Sequence, residues 1–160
     1  MRGKIMTATQ LKPILEQARA ERKRIVFTNG CFDLLHIGHV RYLEQAKALG
    51  DVLVVGVNSD DSVRRLNKGP DRPLVPDGQR AEVVAALAAV DYVIIFSESD
   101  PAHLIADLQP DVLVKGGDWP IDAIVGREVV ERRGGTVTTI PLVPGISTTI
   151  LLHRIRSTAS

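Results

Sequence analysis

The sequence holds one cysteine in 160 residues, Cys31, so no internal disulfide can form and a cysteine-based zinc cluster is excluded. It also lacks an excess of either charge. Twenty Lys and Arg against 19 Asp and Glu leave a net +1, which gives no global attraction to nucleic acid or to an anionic membrane. Any anion must therefore be captured by a local site. No apolar run approaches the ~20 residues of a membrane span. The stretch from Met1 to Ala20 has no signal-peptide core and carries Lys12 and Glu16 where one would sit. These absences predict a cytoplasmic protein. Internal repeats, low-complexity stretches and a dense carboxylate cluster are missing as well.

What is present is ordinary globular composition, 44% apolar and 24% charged, in a length that fits one domain over residues 1–160. Residues 1–22 read as a helical N-terminal extension. In it, Leu11, Ile14, Leu15 and Ala18 recur at helical intervals between Thr9 and Arg22, which predicts an amphipathic helix on the domain edge. Arg24 to Thr28 reads as a strand broken by Asn29-Gly30, Gly38 to Leu49 as a helix, and Val52 to Val57 as a fully buried strand. The alternation continues with a helix at Gln79 to Ala89 and a strand at Tyr92 to Phe96. A helix at Pro101 to Leu108, capped by Ser99 or Asp100, leads to a strand at Val112 to Val114. Ile121 to Arg133 reads as a helix, Thr136 to Ile140 as a strand and Ser147 to Ile155 as a terminal helix. That order predicts an α/β fold, a three-layer, doubly wound parallel sheet of Rossmann-like type. The long polar connection from Asn58 to Gly78 stands out as functional or mobile.

The chemistry concentrates between the first strand and its helix, in Thr28-Asn29-Gly30-Cys31-Phe32-Asp33-Leu34-Leu35-His36-Ile37-Gly38-His39. This is the carboxyl edge of the sheet, where open α/β folds bind ligands. His36 and His39 are three apart, so at a helix start both rings can face one side. Gly38 removes a side chain where a phosphate could approach, and the helix N-terminus adds unpaired N–H groups and partial positive charge. Two imidazoles and a ring of amides can hold a triphosphate and stabilise charge growing on its α-phosphoryl oxygens. A lone histidine would read as a satisfied core or surface residue; the pair spaced around a glycine after a strand does not. Zinc would need a third ligand, and a dinucleotide site would need three spaced glycines that Gly30 and Gly38 do not supply.

Gly30-Cys31-Phe32-Asp33 with His36-Ile37-Gly38-His39 resembles the signature of the cytidylyltransferase-type nucleotidyltransferase superfamily. Gly145-Ile146-Ser147-Thr148-Thr149 resembles its second motif, a turn opening the last helix, whose implied role is contact with the β- and γ-phosphates. Within the superfamily, Val57-Asn58-Ser59-Asp60, Arg72-Pro73-Leu74, Gln79-Arg80 and the run from Asp111 to Asp118 resemble the adenylyltransferases that act on D-glycero-D-manno-heptose 1-phosphate. In many of those relatives the domain is fused to a sugar kinase, which a chain of this length would leave to another polypeptide. Glycerol-3-phosphate cytidylyltransferases are the nearest rival. They carry an Arg three residues before the second motif, where this chain has Leu142, and the departure favours ATP over CTP.

The resemblance implies that Lys68 swings onto the triphosphate, and that Thr28, Asn29, Gly30, Cys31, Phe32, Gly38, Gly117 and residues Gly145 to Thr149 surround the nucleotide. Arg80, a cation at a helix start, is expected to face a phosphate, that of the acceptor. Lys115 could meet the sugar phosphate, with Asp118 and Trp119 beside the sugar. Asp33 could bond a sugar hydroxyl or cap the following helix. Cys31 reads as a backbone contact and packing residue, because direct transfer needs no covalent intermediate. The expected reaction is in-line attack of a sugar 1-phosphate oxygen on the α-phosphorus of ATP, with Mg²⁺ held mainly by phosphates and water. ATP and heptose 1-phosphate are the expected partners, without nucleic acid or membrane, and a homodimer is compatible with the sequence. A non-catalytic nucleotide-binding module and adenylylation of another acceptor, such as a phosphopantetheine-like molecule, are the remaining alternatives.

Overall fold

The computed structural model describes residues 2–117 and 119–159. Five strands form one all-parallel sheet: β1 (Ile25–Gly30), β2 (Val52–Asn58), β3 (Tyr92–Phe96), β4 (Val112–Gly116) and β5 (Thr136–Ile140), in the order β3-β2-β1-β4-β5. From β1 the chain winds outward through β2 and β3, then returns to the other side of β1 for β4 and β5. The reversal lies between β1 and β4 and opens a crevice at the carboxyl ends of those strands.

Side chains alternate across the sheet, and each face carries its own core. On one face Ile25, Phe27, Val54 and Leu113 pack under α1 (Ala8–Ala20), α5 (Ala102–Leu108) and α6 (Arg127–Arg132). On the other, Val26, Val55 and Val114 pack under α2 (Ile37–Lys47) and α4 (Asp77–Ala85). This is the expected three-layer, doubly wound fold.

Four local expectations are corrected. α1 does not ride the domain edge: Leu11, Leu15 and Ala18 are buried in the first core, and a Thr7–Gln10 capping box fixes where the helix starts. β1 is not broken at Asn29-Gly30, because Asn29 pairs with Gly56 and Gly30 with Val57 of β2. The 121–133 stretch is not one helix. A 3₁₀ turn (Ile121–Ala123) is separated from α6 by Gly126 at φ +88, where a Cβ would lie 2.5 Å from Ile105 Cδ1. The connection from Asn58 to Gly78 also contains a short helix, α3 (Asp60–Arg65), so its irregular part runs only from Leu66 to Pro76. The last helix, α7 (Thr148–Thr158), follows Ser147, whose side chain accepts the Ile150 N–H at 3.1 Å.

Candidate active site

The start of α2 is capped by its own histidines. His36 is extended and occupies the N-cap, where its Nδ1 accepts the Gly38 N–H at 3.1 Å. His39 Nδ1 in turn accepts the His36 N–H at 3.3 Å. Imidazole thus fills both halves of a reciprocal cap that Ser and Glu usually make. The rings stack with centroids 3.9 Å apart, and the Phe32 ring tilts against His39 at 5.3 Å. With Nδ1 accepting in both rings, the proton of each neutral imidazole sits on Nε2. Burial, then the neighbouring His36 and Lys68, push His39 down to about 4. Burial also lowers His36. At neutral pH the pair therefore presents two uncharged Nε2–H donors. Gly38 lines the cavity and also makes room for His36: a Cβ there would come within 2.8 Å of that ring, so glycine lets it fold back over the helix start.

The histidines line a cavity of about 800 Å³ at the carboxyl edge of the sheet. The second motif lines the same cavity. Ile146, Ser147, Thr148 and Thr149 face into it, and Thr148 Oγ1 approaches the Leu34 carbonyl at 3.5 Å. Ile146 Cγ2 would lie 3.4 Å from a Cβ on Gly38, so the two motifs are in contact. Asn29, Gly30, Cys31, Phe32, Gly38, Lys68, Lys115 and Trp119 also line the cavity, as expected. Lys115 has lost much of its hydration, and this burial lowers its pKa. Its Nζ lies 3.4 Å from Asn29 Oδ1 and 5.7 Å from the Trp119 ring, with no carboxylate partner among the described residues. Burying a cation without a counter-charge is costly. Lys68 is exposed on the irregular segment above it.

Other expected site residues either do not line the cavity or have their polar atoms already filled by the protein. Arg80 is 1% exposed and spends its donors within the protein: Nε on the Val75 carbonyl at 2.8 Å, Nη1 on the Cys31 carbonyl at 2.5 Å and Nη2 on Asp60 at 2.8 Å. The anion that a cation at a helix start requires is Asp60, not a substrate phosphate. Asp33 lines the cavity floor but is filled by the protein. Its oxygens accept Arg72 Nε at 2.5 Å and the N–H groups of Leu74 and Val75 at 2.9 Å. Burial alone would raise its pKa; the Leu74, Val75 and Arg72 bonds outweigh that and hold it below the usual carboxylate range. It neither caps α2 nor has a free oxygen facing a sugar. Cys31 is buried and its carbonyl serves Arg80, so its backbone contact is internal. Thr28 is fully buried and bonds the Tyr42 hydroxyl at 2.6 Å. Gly117 and Gly145 adopt left-handed conformations and are not among the lining residues. Asp118 lies outside the described residues.

Two contributors carried no expected role. Arg72 clamps the 66–76 segment to Asp33, and its place in Arg72-Pro73-Leu74 gave no hint of a partner 39 residues earlier. Tyr42 lines the cavity one helical turn beyond His39, a position that the three-residue spacing could have flagged.

The comparisons agree with this geometry. The cytidylyltransferase-like family model matches residues 27–155. The protein named bifunctional protein HldE from Syntrophotalea carbinolica is 53% identical over 153 residues, 96% of this chain, and that from Geobacter metallireducens is 54% identical over the same share. The chain spans only 31% of the length of these relatives. Among solved structures, the lipopolysaccharide core biosynthesis protein of Thermoplasma volcanium is 30% identical with a TM-score of 0.63, covering 76% of this chain and 97% of its own. With the family model matched over most of its length and both signature segments meeting across one cavity, this chain belongs to the cytidylyltransferase-like family.

Proposed function

We propose that the chain is an adenylyltransferase that moves AMP from ATP to D-glycero-D-manno-heptose 1-phosphate, giving ADP-heptose for lipopolysaccharide or other surface-glycan synthesis. The observation that carries this reading is that the neutral His36–His39 pair, the N-terminus of α7, Lys68 and Lys115 line one cavity. The triphosphate would lie between the imidazole donors and the α7 amides, with Lys68 closing over it. The acceptor's phosphate would pair with Lys115.

An oxygen of that phosphate forms a bond to the α-phosphorus as the bond to the bridging oxygen of pyrophosphate breaks. No proton has to be removed, because a phosphate monoester is already anionic. The side chains act by orientation and by meeting charge on the equatorial oxygens as it grows. Neutral donors suit this task, since they gain strength with the developing charge without fixing the ground state as strongly as a cation would. Magnesium fits as an ion carried on the triphosphate's oxygens rather than as a protein-bound centre. The oxygens of Asp33 are taken by three donors, and Asp60 is paired with Arg80. Bound to the phosphates, it would neutralise charge on the leaving pyrophosphate. Support for the heptose comes from the resemblance over most of the chain. The reading puts the enzyme in the cytoplasm with its ATP; no helix among the described residues is long and apolar enough to cross a membrane.

A pyrophosphate-release assay crossing ATP, CTP, GTP and UTP with both anomers of heptose 1-phosphate and with glycerol 3-phosphate tests the proposal. ATP with a heptose 1-phosphate is expected to give the highest kcat/KM. A higher value for CTP with any acceptor would overturn the assignment.

A further inference from the structure

The hydroxyl pair Thr28–Tyr42 has one proton more than the pair itself can use. Two hydroxyls bring two protons, and the 2.6 Å bond between them consumes one. Neither oxygen has another hydrogen-bond partner among the described residues. Thr28 is fully buried on β1, whereas Tyr42 opens onto the cavity. Were Tyr42 the donor, the Thr28 proton would be sealed in the protein without an acceptor, a loss of about 1–3 kcal/mol. The economical arrangement has Thr28 donating to Tyr42 and the Tyr42 O–H pointing into the cavity. Burial raises Tyr42 to about 12, so the phenol keeps its proton throughout the physiological range.

The place of this donor limits what it can meet. Tyr42 lies one turn after His39 on α2, on the wall that carries the histidine pair. Its ring edge lies against Gly116, where an added Cβ would be 3.5 Å from both Tyr42 Cε2 and Leu142 Cδ2. His36, His39 and the start of α7 line the same cavity as the apolar Trp119, Ile124, Val125 and Leu142, which suit the faces of a base. Tyr42 touches both sets, one helical turn from His39 and beside Leu142 at Gly116. A nucleotide with its phosphates at the histidines and its base on the apolar residues would pass its ribose by Tyr42.

We propose that the Tyr42 hydroxyl, oriented by Thr28, donates a hydrogen bond to a ribose hydroxyl oxygen of the nucleotide. The inference rests on the nucleotidyl-transfer reading but is tested separately from it, by binding. Calorimetric dissociation constants are measured for ATP, 2′-deoxy-ATP and 3′-deoxy-ATP with the wild type, Tyr42→Phe and Thr28→Val. The wild type should bind one deoxy analogue about three- to tenfold more weakly than ATP, the range of one neutral hydrogen bond. Tyr42→Phe should bind ATP and that analogue equally. Thr28→Val should shrink the preference without removing it, and it carries the test alone if thermal melting shows Tyr42→Phe unfolded. An unchanged preference in the variants, equal weakening toward all three nucleotides, or no preference in the wild type would overturn the inference. Discrimination that disappears in Tyr42→Phe, in a protein that releases no pyrophosphate, would leave the inference standing and sink the reaction.

Discussion

Arg80 and Lys115 look alike in the sequence: each is a cation at the edge of an element, each near the signature segments, each expected to meet a phosphate. The fold separates them. Arg80 is sealed beneath the 72–80 segment with three donors spent on Asp60, Cys31 and Val75. Lys115 has shed much of its water for one long contact to Asn29 and an aromatic edge. What decides whether a cation can bind substrate is how many of its donors the protein has already filled, and that count depends on residues distant in sequence. Arg80 is therefore a structural clamp, and Lys115 is the cation proposed to meet the acceptor's phosphate.

The largest test of that contrast is Arg80→Met. It leaves the partly exposed Asp60 without its partner and the Val75 and Cys31 carbonyls without their donor, which should cost about 3 kcal/mol, the low end for breaking a buried pair. The melting temperature should fall by ten degrees or so, at about 2–4 °C per kcal/mol for a domain of this size. A folded Arg80→Met protein with native melting and a raised KM for the sugar phosphate alone would reverse the assignment of the two cations.

Lys115→Ala should behave the opposite way. Its melting temperature should hold or rise, because an uncompensated cation leaves the interior. Its KM for the sugar phosphate should climb by about 10- to 150-fold, the loss of one charged hydrogen bond of ~1.5–3 kcal/mol. Titrations with each ligand separately should show ATP affinity changed far less.

A smaller effect sharpens the account of the segment carrying Lys68. Asp33→Asn removes the charge facing Arg72 and replaces one acceptor oxygen with a donor, so the Leu66–Val75 stretch should loosen from β1. Amide exchange at Leu74 and Val75 should speed up, and KM for ATP should rise more than KM for the acceptor. Unchanged exchange at both amides would show that Asp33 does not hold the segment.

The smallest effect is on pH dependence. His39 is neutral in the folded protein down to about 4, whereas in the unfolded chain it protonates near the ordinary value of 6.5. The unfolded state thus gains protons first, and stability is lost as pH falls from about 6.5 toward 4. His39→Gln removes that linkage, so its melting temperature should drop less than the wild type's between pH 7 and pH 5. Equal drops in the two proteins would show that His39 titrates normally.

Much of this was legible in the sequence. The five strands fall where short β-branched runs lie between helical patterns, and the two signature segments meet as their strand-to-helix positions require. What was not legible depended on partners far along the chain. Arg80 pairs with Asp60, and Asp33 with Arg72, across separations that no local pattern encodes. Thr28 and Asn29 are neighbours in sequence, yet strand alternation sends Thr28 under α2 to Tyr42 and leaves Asn29 on the cavity beside Lys115. The break before α6 turns on Ile105 lying against Gly126. Local periodicity carried the elements; which charges remained free was settled only by packing.

The central claim is that a neutral histidine pair meets charge that grows on the α-phosphate in the transition state. Steady-state kinetics of His39→Ala at saturating heptose 1-phosphate test it most directly. The ring lies outside both core clusters, and losing its cap bond to the His36 N–H should cost only about 1 kcal/mol, so circular dichroism should show the variant folded. Loss of one preorganised donor should lower kcat by ~10²–10³ while KM for ATP moves far less, because the interaction strengthens only as the reaction proceeds. A folded variant with kcat within about threefold of the wild type, less than 1 kcal/mol of barrier, would remove His39 from the catalytic set.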